Sequence, residues 1–253
     1  MASPAAPTYT EGMTNDRKHA VVTGANKGIG LAVARQLAGL GYTTWLGSRA
    51  EARGRAAVAE LAGHGDVRWL PLDVTDDANV AAAAALVGAA TGRLDLLINN
   101  AAIGIKDGEG PPTLIRLEVL RATYEVNLFG PLRVTRAFLP LLRAAPAAQI
   151  VMVGSGLGSL ALQSDPASGL SRWPVFGYNS SKTALNALTV ALANELRPEG
   201  IAVRVVNPGF IATDLNDHSG TGTPDEGARM VLKATTTQAP SGSFVDGDGT
   251  LPW

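Results

Sequence analysis

The chain contains no cysteine. That excludes disulfides, thiolate nucleophiles and cysteine-based metal centres. Histidine is nearly as scarce: His19, His64 and His218 are the only three. They are too scattered to form a ligand cluster, so each is expected on the surface or in a loop and no metal site is assigned. No charge of one sign dominates. The 21 basic and 22 acidic residues leave a formal net charge of −1, which gives neither nucleic acid nor an anionic membrane an electrostatic foothold. No apolar run approaches the ~18 residues of a membrane span. Residues 1–16 hold Pro4, Pro7 and Gly12 among small polar residues, without the basic start and apolar stretch of a secretion signal. They are expected to be a disordered leader, with residues 17–253 as the folded part and the cytoplasm as the default location.

What is present is an ordinary globular composition, 46% hydrophobic and 17% charged over 253 residues, and one unusual stretch. From His19 to Ala34 the chain reads HAVVTGANKGIGLAVA. Ala20, Val21 and Val22 form an apolar run. Thr23-Gly24-Ala25-Asn26-Lys27-Gly28-Ile29-Gly30 follows, and then Ile29, Val33 and Leu37 recur at helical spacing. Strand, glycine turn and helix make a place where backbone can approach a diphosphate, with the helix N-terminus offering N–H groups and partial positive charge. The spacing Gly24-x-x-x-Gly28-x-Gly30 differs from the G-x-G-x-x-G fingerprint. Taken alone, it fits a turn with no ligand equally well.

The rest of the chain alternates strand-like and helix-like segments. Tyr42–Gly47 reads as a strand, ending at Ser48-Arg49 before a helical Ala50–Leu61. In doubly wound folds the end of the second strand selects the dinucleotide: a carboxylate there accepts the ribose hydroxyl of NAD, and a guanidinium suits a 2′-phosphate. Ser48 and Arg49, with Lys27 as a second cation, point to NADP(H). Arg49 alone reads better as a solvated charge at the helix start, so the two cations count together, and Glu51 is placed inside the helix. Val67–Leu72 is a third strand ending at Asp73-Val74. Thr75 reads as a helix N-cap with Asp76 and Asp77 in the first turn, ahead of a helical Ala78–Ala90. Leu94–Ile98 is apolar enough for a strand buried on both faces, and it runs into Asn99-Asn100-Ala101-Ala102. Thr113–Arg143 is helical, with a break or bend expected near Gly130-Pro131. Gln149–Val153 is a strand ending at Gly154-Ser155. Residues 157–176 read as an irregular loop, and Tyr178–Arg197 as a helix. Ile201–Val206 is a strand leading to Asn207-Pro208-Gly209-Phe210-Ile211-Ala212-Thr213. Thr223-Pro224-Asp225-Glu226 is a capping-box helix start, and Ser243–Asp246 is a last strand. The alternation predicts a single-domain α/β, doubly wound fold: about seven parallel strands with helices on both faces.

Tyr178 and Lys182 lie four apart on one face of a helix. A phenol beside an ammonium ionises more easily; lowering its pKa by ~3 units takes about 4 kcal/mol, which a contacting cation joined by the positive charge of the NADP⁺ nicotinamide could supply. So tuned, it could give a proton to a carbonyl oxygen as hydride reaches the carbon. Ser155 could donate a second hydrogen bond to that oxygen. A lone Tyr-x-x-x-Lys carries little weight. In this order, however, the glycine turn, Asn99-Asn100-Ala101-Ala102, Asn127, Ser155 and Tyr178/Lys182 resemble the short-chain dehydrogenase/reductase family, over roughly Lys18 to Trp253.

The resemblance implies a Rossmann fold and assigns roles. Tyr178 would be the general acid/base and Lys182 would hold the nicotinamide ribose and lower the phenol's pKa. Ser155 would polarise the substrate, and Asn127 would bend its helix and anchor a water relay. The cofactor would lie on Gly24, Asn26, Lys27, Gly28, Ile29, Gly30, Ser48, Arg49, Asp73, Val74, Asn100, Ala101 and Ala102, with Pro208, Gly209, Ile211 and Thr213 at the carboxamide. Ala102 departs from the family's usual glycine. The glycine turn and Thr223–Ala228 lean towards the carbonyl-reductase-like branch. The implied activity is NADPH-linked, reversible reduction of a ketone or aldehyde, in a pocket lined by Ile103, Leu157, Trp173, Val175, Phe176 and Phe210. A short polar lid between Thr213 and Thr223 suggests an accessible site. Imine or C=C reduction and non-catalytic NADP(H) sensing remain as alternatives. A homo-oligomer, dimer or tetramer, is expected over a monomer.

Overall fold

A computed structural model of the chain describes residues 17–253; the leader expected at residues 1–16 lies outside them. In chain order the main elements are β1 (His19–Val22), α1 (Gly28–Gly39), β2 (Thr43–Ser48), α2 (Glu51–Glu60), β3 (Val67–Pro71), α3 (Asp77–Thr91) and β4 (Leu96–Asn99). They continue with α4 (Leu117–Tyr124), α5 (Gly130–Arg143), β5 (Gln149–Val153), the short α6 (Leu160–Ser164), α7 (Phe176–Leu196), β6 (Ala202–Val206), α8 (Pro224–Thr236) and β7 (Phe244–Val245).

The seven strands form one sheet in the order β3-β2-β1-β4-β5-β6-β7, every pair parallel. Because strand side chains alternate, each strand feeds two cores. Val21, Trp45, Leu97, Ile150, Met152, Val203 and Val205 point to the side covered by α3, α5 and α7, through Val87, Phe138 and Leu192. Ala20, Val22, Leu46, Leu96, Ile98, Val151 and Val206 point to the other side, against Val33 and Leu37 of α1, Ala57 of α2 and Val231 of α8. This is the doubly wound architecture expected. The strand order reverses at β1, between β2 and β4, and in such sheets the crevice at the carboxyl ends of the strands is the ligand position.

Several local expectations change. The cap of α3 is Asp76, whose carboxylate accepts from the Asn79 N–H at 2.9 Å. Thr75 turns back instead, donating its hydroxyl to Asp73 at 2.7 Å. The long helical region begins at Leu117, and the break expected near Gly130-Pro131 is there, as a π-helical turn over Glu125–Phe129 that contains Asn127 and ends directly against Gly130. Pro131 follows directly in the first turn of α5, where its missing N–H coincides with the break in the regular helical ladder. The 157–176 segment is not a bare loop: it carries α6 and 3-10 turns at Gly156–Gly158, Pro166–Ser168 and Leu170–Arg172. Helix α7 starts two residues early, so Tyr178 sits in its first turn. His19 is buried in β1 rather than exposed, and burial lowers its imidazole below the ordinary value. Among the described residues no helix is long and apolar enough to cross a membrane.

Candidate active site

Every motif residue lies at a strand's carboxyl end or on a helix facing that edge. After β1 the chain must turn sharply, and Gly24 and Gly28 do so with φ of 62° and 57°, the left-handed region that glycine adopts without strain. The turn is also tight from outside. A Cβ on Gly24 would come within 2.9 Å of the Ala101 Cα, and one on Gly30 within 2.5 Å of the Asn100 Nδ2. Asn100 is the clamp: its side-chain amide donates to the Thr23 and Gly24 carbonyls at 2.9 and 3.2 Å. The Thr23 hydroxyl in turn accepts from the Asn100 and Ala101 N–H groups, both at 2.9 Å. Thr23 is thus a functional residue the motif reading passed over, although its place directly before the first glycine marks it. The first turn of α1 is capped by no side chain, since Lys27 at its N-cap makes no capping bond. Its N–H groups remain free to meet anionic oxygens. The cradle therefore fits a dinucleotide diphosphate.

The loop after β6 closes over the turn. Asn207 holds its start, accepting from the Gly156 and Gly209 N–H groups at 3.2 and 3.3 Å. Gly209 takes φ 91°, Pro208 and Ile211 are buried, and Thr213 lies where a Cβ on Gly28 would touch its methyl at 3.3 Å. The glycine turn and the Pro208–Thr213 segment therefore meet. Asn207 was also passed over, although a polar Asn directly before Pro-Gly is a visible signal.

The residues that would choose the dinucleotide are only partly free. Arg49 is exposed at the end of β2, while Ser48 is buried and donates to the Ala50 carbonyl at 3.2 Å. Lys27 is engaged: its ammonium pairs with Asp214 in the lid, which also accepts from His218 Nε2 at 2.9 Å. Glu51 begins α2 and bonds Arg55, out of contention for a ribose. Asp73 is held in its own turn by the Thr75 N–H and hydroxyl at 3.0 and 2.7 Å. Burial works to raise its carboxyl, but the Thr75 hydrogen bonds and the charges of Arg49 and Arg133 outweigh it and leave it below the usual range. Val74, beside it, packs against Gly130. Asn26, Ile29 and Ala102 are half-buried, and Ile29 turns towards Gly227 of α8.

Opposite the turn, β5 and α7 bring Ser155, Tyr178 and Lys182 together. Lys182 is 2% exposed and donates to the Val153 carbonyl at 2.8 Å, with its Nζ 5.5 Å from the centre of the Tyr178 ring. Desolvation lowers this ammonium to about 8. Burial likewise pushes the Tyr178 phenol up, to about 12, and a hydrogen bond from Ser155 offsets only part of that. In the protein alone desolvation thus sets both groups, and the lowering expected with the positive nicotinamide in place is not seen without it. Ser155 Oγ accepts from the Leu157 N–H at 3.2 Å, and its hydroxyl meets the Tyr178 phenol across the cleft. Asn127 is turned inward. Its Oδ1 accepts from the Ile103 N–H at 2.8 Å, and its amide donates to the Ile103 carbonyl at 2.9 Å and to Ser181 Oγ at 3.1 Å.

Over this set stands a partly apolar mouth. Trp173 and Phe210, about half exposed, form a tilted pair with ring centres 5.8 Å apart. Leu170 approaches Gly156, and Leu215 lies with the Tyr178 ring beside Gly104; neither leucine was singled out from the sequence. The lid is polar, as expected, and two exposed ion pairs, Lys27–Asp214 and Lys106–Asp217, join it to the glycine turn and to the loop after β4.

This fold, with its glycine cradle at the switch point, defines a dinucleotide-binding α/β protein. Residues 18–223 match the family model described as short chain dehydrogenase, and the chain belongs to that family. It is 37% identical over 241 residues to the short-chain dehydrogenase anuI of Penicillium roqueforti, covering 91% of this chain and 94% of that one. It is 32% identical to the (+)-neomenthol dehydrogenase of Arabidopsis thaliana, covering 90% and 95%. Among solved structures, NADPH-bound carbonyl reductase from chicken fatty liver superposes with a TM-score of 0.83 at 29% identity, over 94% of this chain and 99% of that one.

Proposed function

We propose that this protein is an NADPH-dependent reductase of ketones or aldehydes, of the carbonyl-reductase type. The observation that carries the reading is the convergence of Ser155, Tyr178 and Lys182 across the cleft from an uncapped α1 N-terminus. The NADPH-bound carbonyl reductase supports it as a relative of the same fold, and Arg49 and Lys27 support NADP(H) over NAD(H). When bound, the nicotinamide supplies hydride to the carbonyl carbon.

The chain's own residues do the rest. At neutral pH Tyr178, with its phenol near 12, is protonated and ready to give its proton to the carbonyl oxygen. Ser155 offers the same oxygen a second hydrogen bond as negative charge grows on it. Lys182, charged below about 8, holds positive charge beside the phenol and so stabilises the phenolate left after transfer. Asn127 keeps Ile103 and the wall it begins in place. Trp173, Phe210, Leu170 and Leu215 shape a mouth for a moderately hydrophobic substrate. Exposed Leu117 and Phe129, on α4 and the π-helical turn, support a homo-oligomer.

The test is an NADPH turnover screen across ketones, aldehydes, enones and imines, repeated with Tyr178→Phe. The expected result is carbonyl reduction that falls ~10²–10⁴-fold in the variant. Undiminished turnover by Tyr178→Phe overturns the assignment. Reduction confined to C=C or C=N bonds would move the protein to those chemistries, and NADPH binding without any turnover would make it a sensor.

A further inference from the structure

Helix α7 carries both Tyr178 and Lys182, yet its own sequence supplies no cap. The N-cap position is Val175, whose side chain makes no capping bond, where Ser, Thr, Asp or Asn would ordinarily accept from the first-turn N–H groups. The missing acceptors come from the loop between β4 and α4. Glu109 Oε1 accepts from the Gly177 N–H at 2.9 Å and the Gly110 N–H at 3.0 Å, and its Oε2 accepts from the Tyr178 N–H at 3.2 Å. The Gly110 carbonyl accepts from the Phe176 N–H at 3.1 Å. Two residues from a distant loop thus satisfy the first three N–H groups of the catalytic helix. Position 177 is fitted to this approach, since a Cβ on Gly177 would come 2.8 Å from Glu109 Oε2 and 2.9 Å from Ile115 Cδ1. A carboxylate is also the right charge for the positive end of a 21-residue helix.

The same loop forms a wall of the substrate cleft. It is fixed by Asn127 at Ile103, passes the Tyr178 ring at Gly104, and pairs with the lid through Lys106. We propose that Glu109 is a positioning residue for the reaction: it locks the Tyr178 backbone to the wall against which the substrate lies, fixing the phenol relative to the carbonyl oxygen. Glu109 acts through Tyr178 and transfers no proton itself. This role rests on Tyr178 being the general acid.

The experiment uses the full chain with Glu109→Ala, Glu109→Gln and Gly177→Ala. It measures NADPH affinity by fluorescence, kcat and KM per NADPH-binding site, and amide hydrogen exchange over residues 176–178. Glu109→Ala is expected to speed that exchange and lower kcat about tenfold, as loss of a charge-assisted cap would, with NADPH affinity changed less than about twofold. Glu109→Gln, keeping one acceptor oxygen, should recover much of both. Gly177→Ala, which displaces the carboxylate while keeping its charge, should reproduce the kcat loss and serves if Glu109→Ala does not fold. Unchanged exchange or unchanged kcat in both Glu109→Ala and Gly177→Ala overturns the proposal, as does Glu109→Gln behaving no better than Glu109→Ala. A wild-type chain that turns over no carbonyl removes the catalytic reading and this role with it. Faster exchange in its Glu109→Ala variant would then establish a structural cap alone.

Discussion

Asn127 holds Ile103 at both of its backbone groups, accepting from its N–H at 2.8 Å and donating to its carbonyl at 2.9 Å. One amide thereby does what a neighbouring strand would do, just beyond the point where β4 has ended. The π-helical turn over Glu125–Phe129 is what brings the side chain to that position. Asn127→Ala would leave both Ile103 groups unpaired in a half-buried place, while Ser181 Oγ would keep its bond to the Tyr178 carbonyl at 2.7 Å. The expected cost is about 2–3 kcal/mol of stability in urea unfolding, with a fall in kcat. Asn127→Asp keeps the acceptor but sets an anion against the Ile103 carbonyl, so it should be no better. A loss below about 0.5 kcal/mol in Asn127→Ala would show that the amide is dispensable there.

Gly30 tests the cradle by sterics alone. The nearest atoms to a Cβ at this position, Asn100 Nδ2 and the Gly24 carbonyl oxygen at 2.5 and 2.7 Å, both belong to the clamp that shapes the turn. Gly30→Ala should force the clamp apart and weaken NADPH binding at least tenfold, while costing about 1–3 kcal/mol of stability. Gly39→Ala, in the last turn of the same helix with nothing within 4 Å, is the control and should leave affinity unchanged. Equal NADPH affinity in the two variants would remove the cradle from cofactor binding.

Much of the architecture was legible because each strand announces itself by an apolar run and each carboxyl end by a turn motif. The two-sided burial of Leu96–Asn99 and the capping box of Thr223 with Glu226 followed directly from residue pattern. What was not legible came from distant contacts. Thr75 would have made a sound cap had Asp73 not drawn off its hydroxyl, and Asp76 took the position. The α7 start was misplaced because its acceptors lie on Glu109, which no local pattern near Val175 could reveal. The pairing of Lys27 with Asp214 joins residues 187 apart in sequence, so a cation that looked free was already engaged. The high phenol of the protein alone was not legible either, because spacing reports a neighbouring charge but not how much water is excluded around it.

The engaged Lys27 leads to a prediction on cofactor choice. An ion pair this exposed is worth under about 1 kcal/mol, so a 2′-phosphate can displace Asp214 at small cost. Asp214→Asn should release Lys27 and tighten NADPH binding about two- to fivefold, with NADH little changed. Arg49→Asp should do the reverse and shift preference towards NADH by at least tenfold. Equal effects on both dinucleotides in one variant would remove its cation from reading the 2′-phosphate, and equal effects in both would remove the two.

The pH dependence separates the roles of Tyr178 and Lys182. With the phenol raised to about 12, its proton stays in place across the neutral and mildly alkaline range, so Tyr178 should impose no fall in reduction rate there. Lys182 is lowered to about 8, and reduction kcat/KM should fall as pH rises through that value and the charge beside the phenol is lost. Stability should move the opposite way. Between about 8 and the ordinary lysine value of 10.5, the unfolded chain binds the Lys182 proton and the folded chain does not. The folded state therefore gains on the unfolded one as pH rises through that window, by up to roughly 3 kcal/mol. Tyr178 contributes oppositely, but only above 10, where the unfolded phenol ionises and the folded one does not. Lys182→Met carries no such penalty, so its stability advantage over wild type in urea unfolding should be largest near pH 7 and should shrink by pH 10. A difference that stays constant from pH 7 to 10, or a reduction profile flat through pH 8, would show that Lys182 keeps its proton in the folded enzyme.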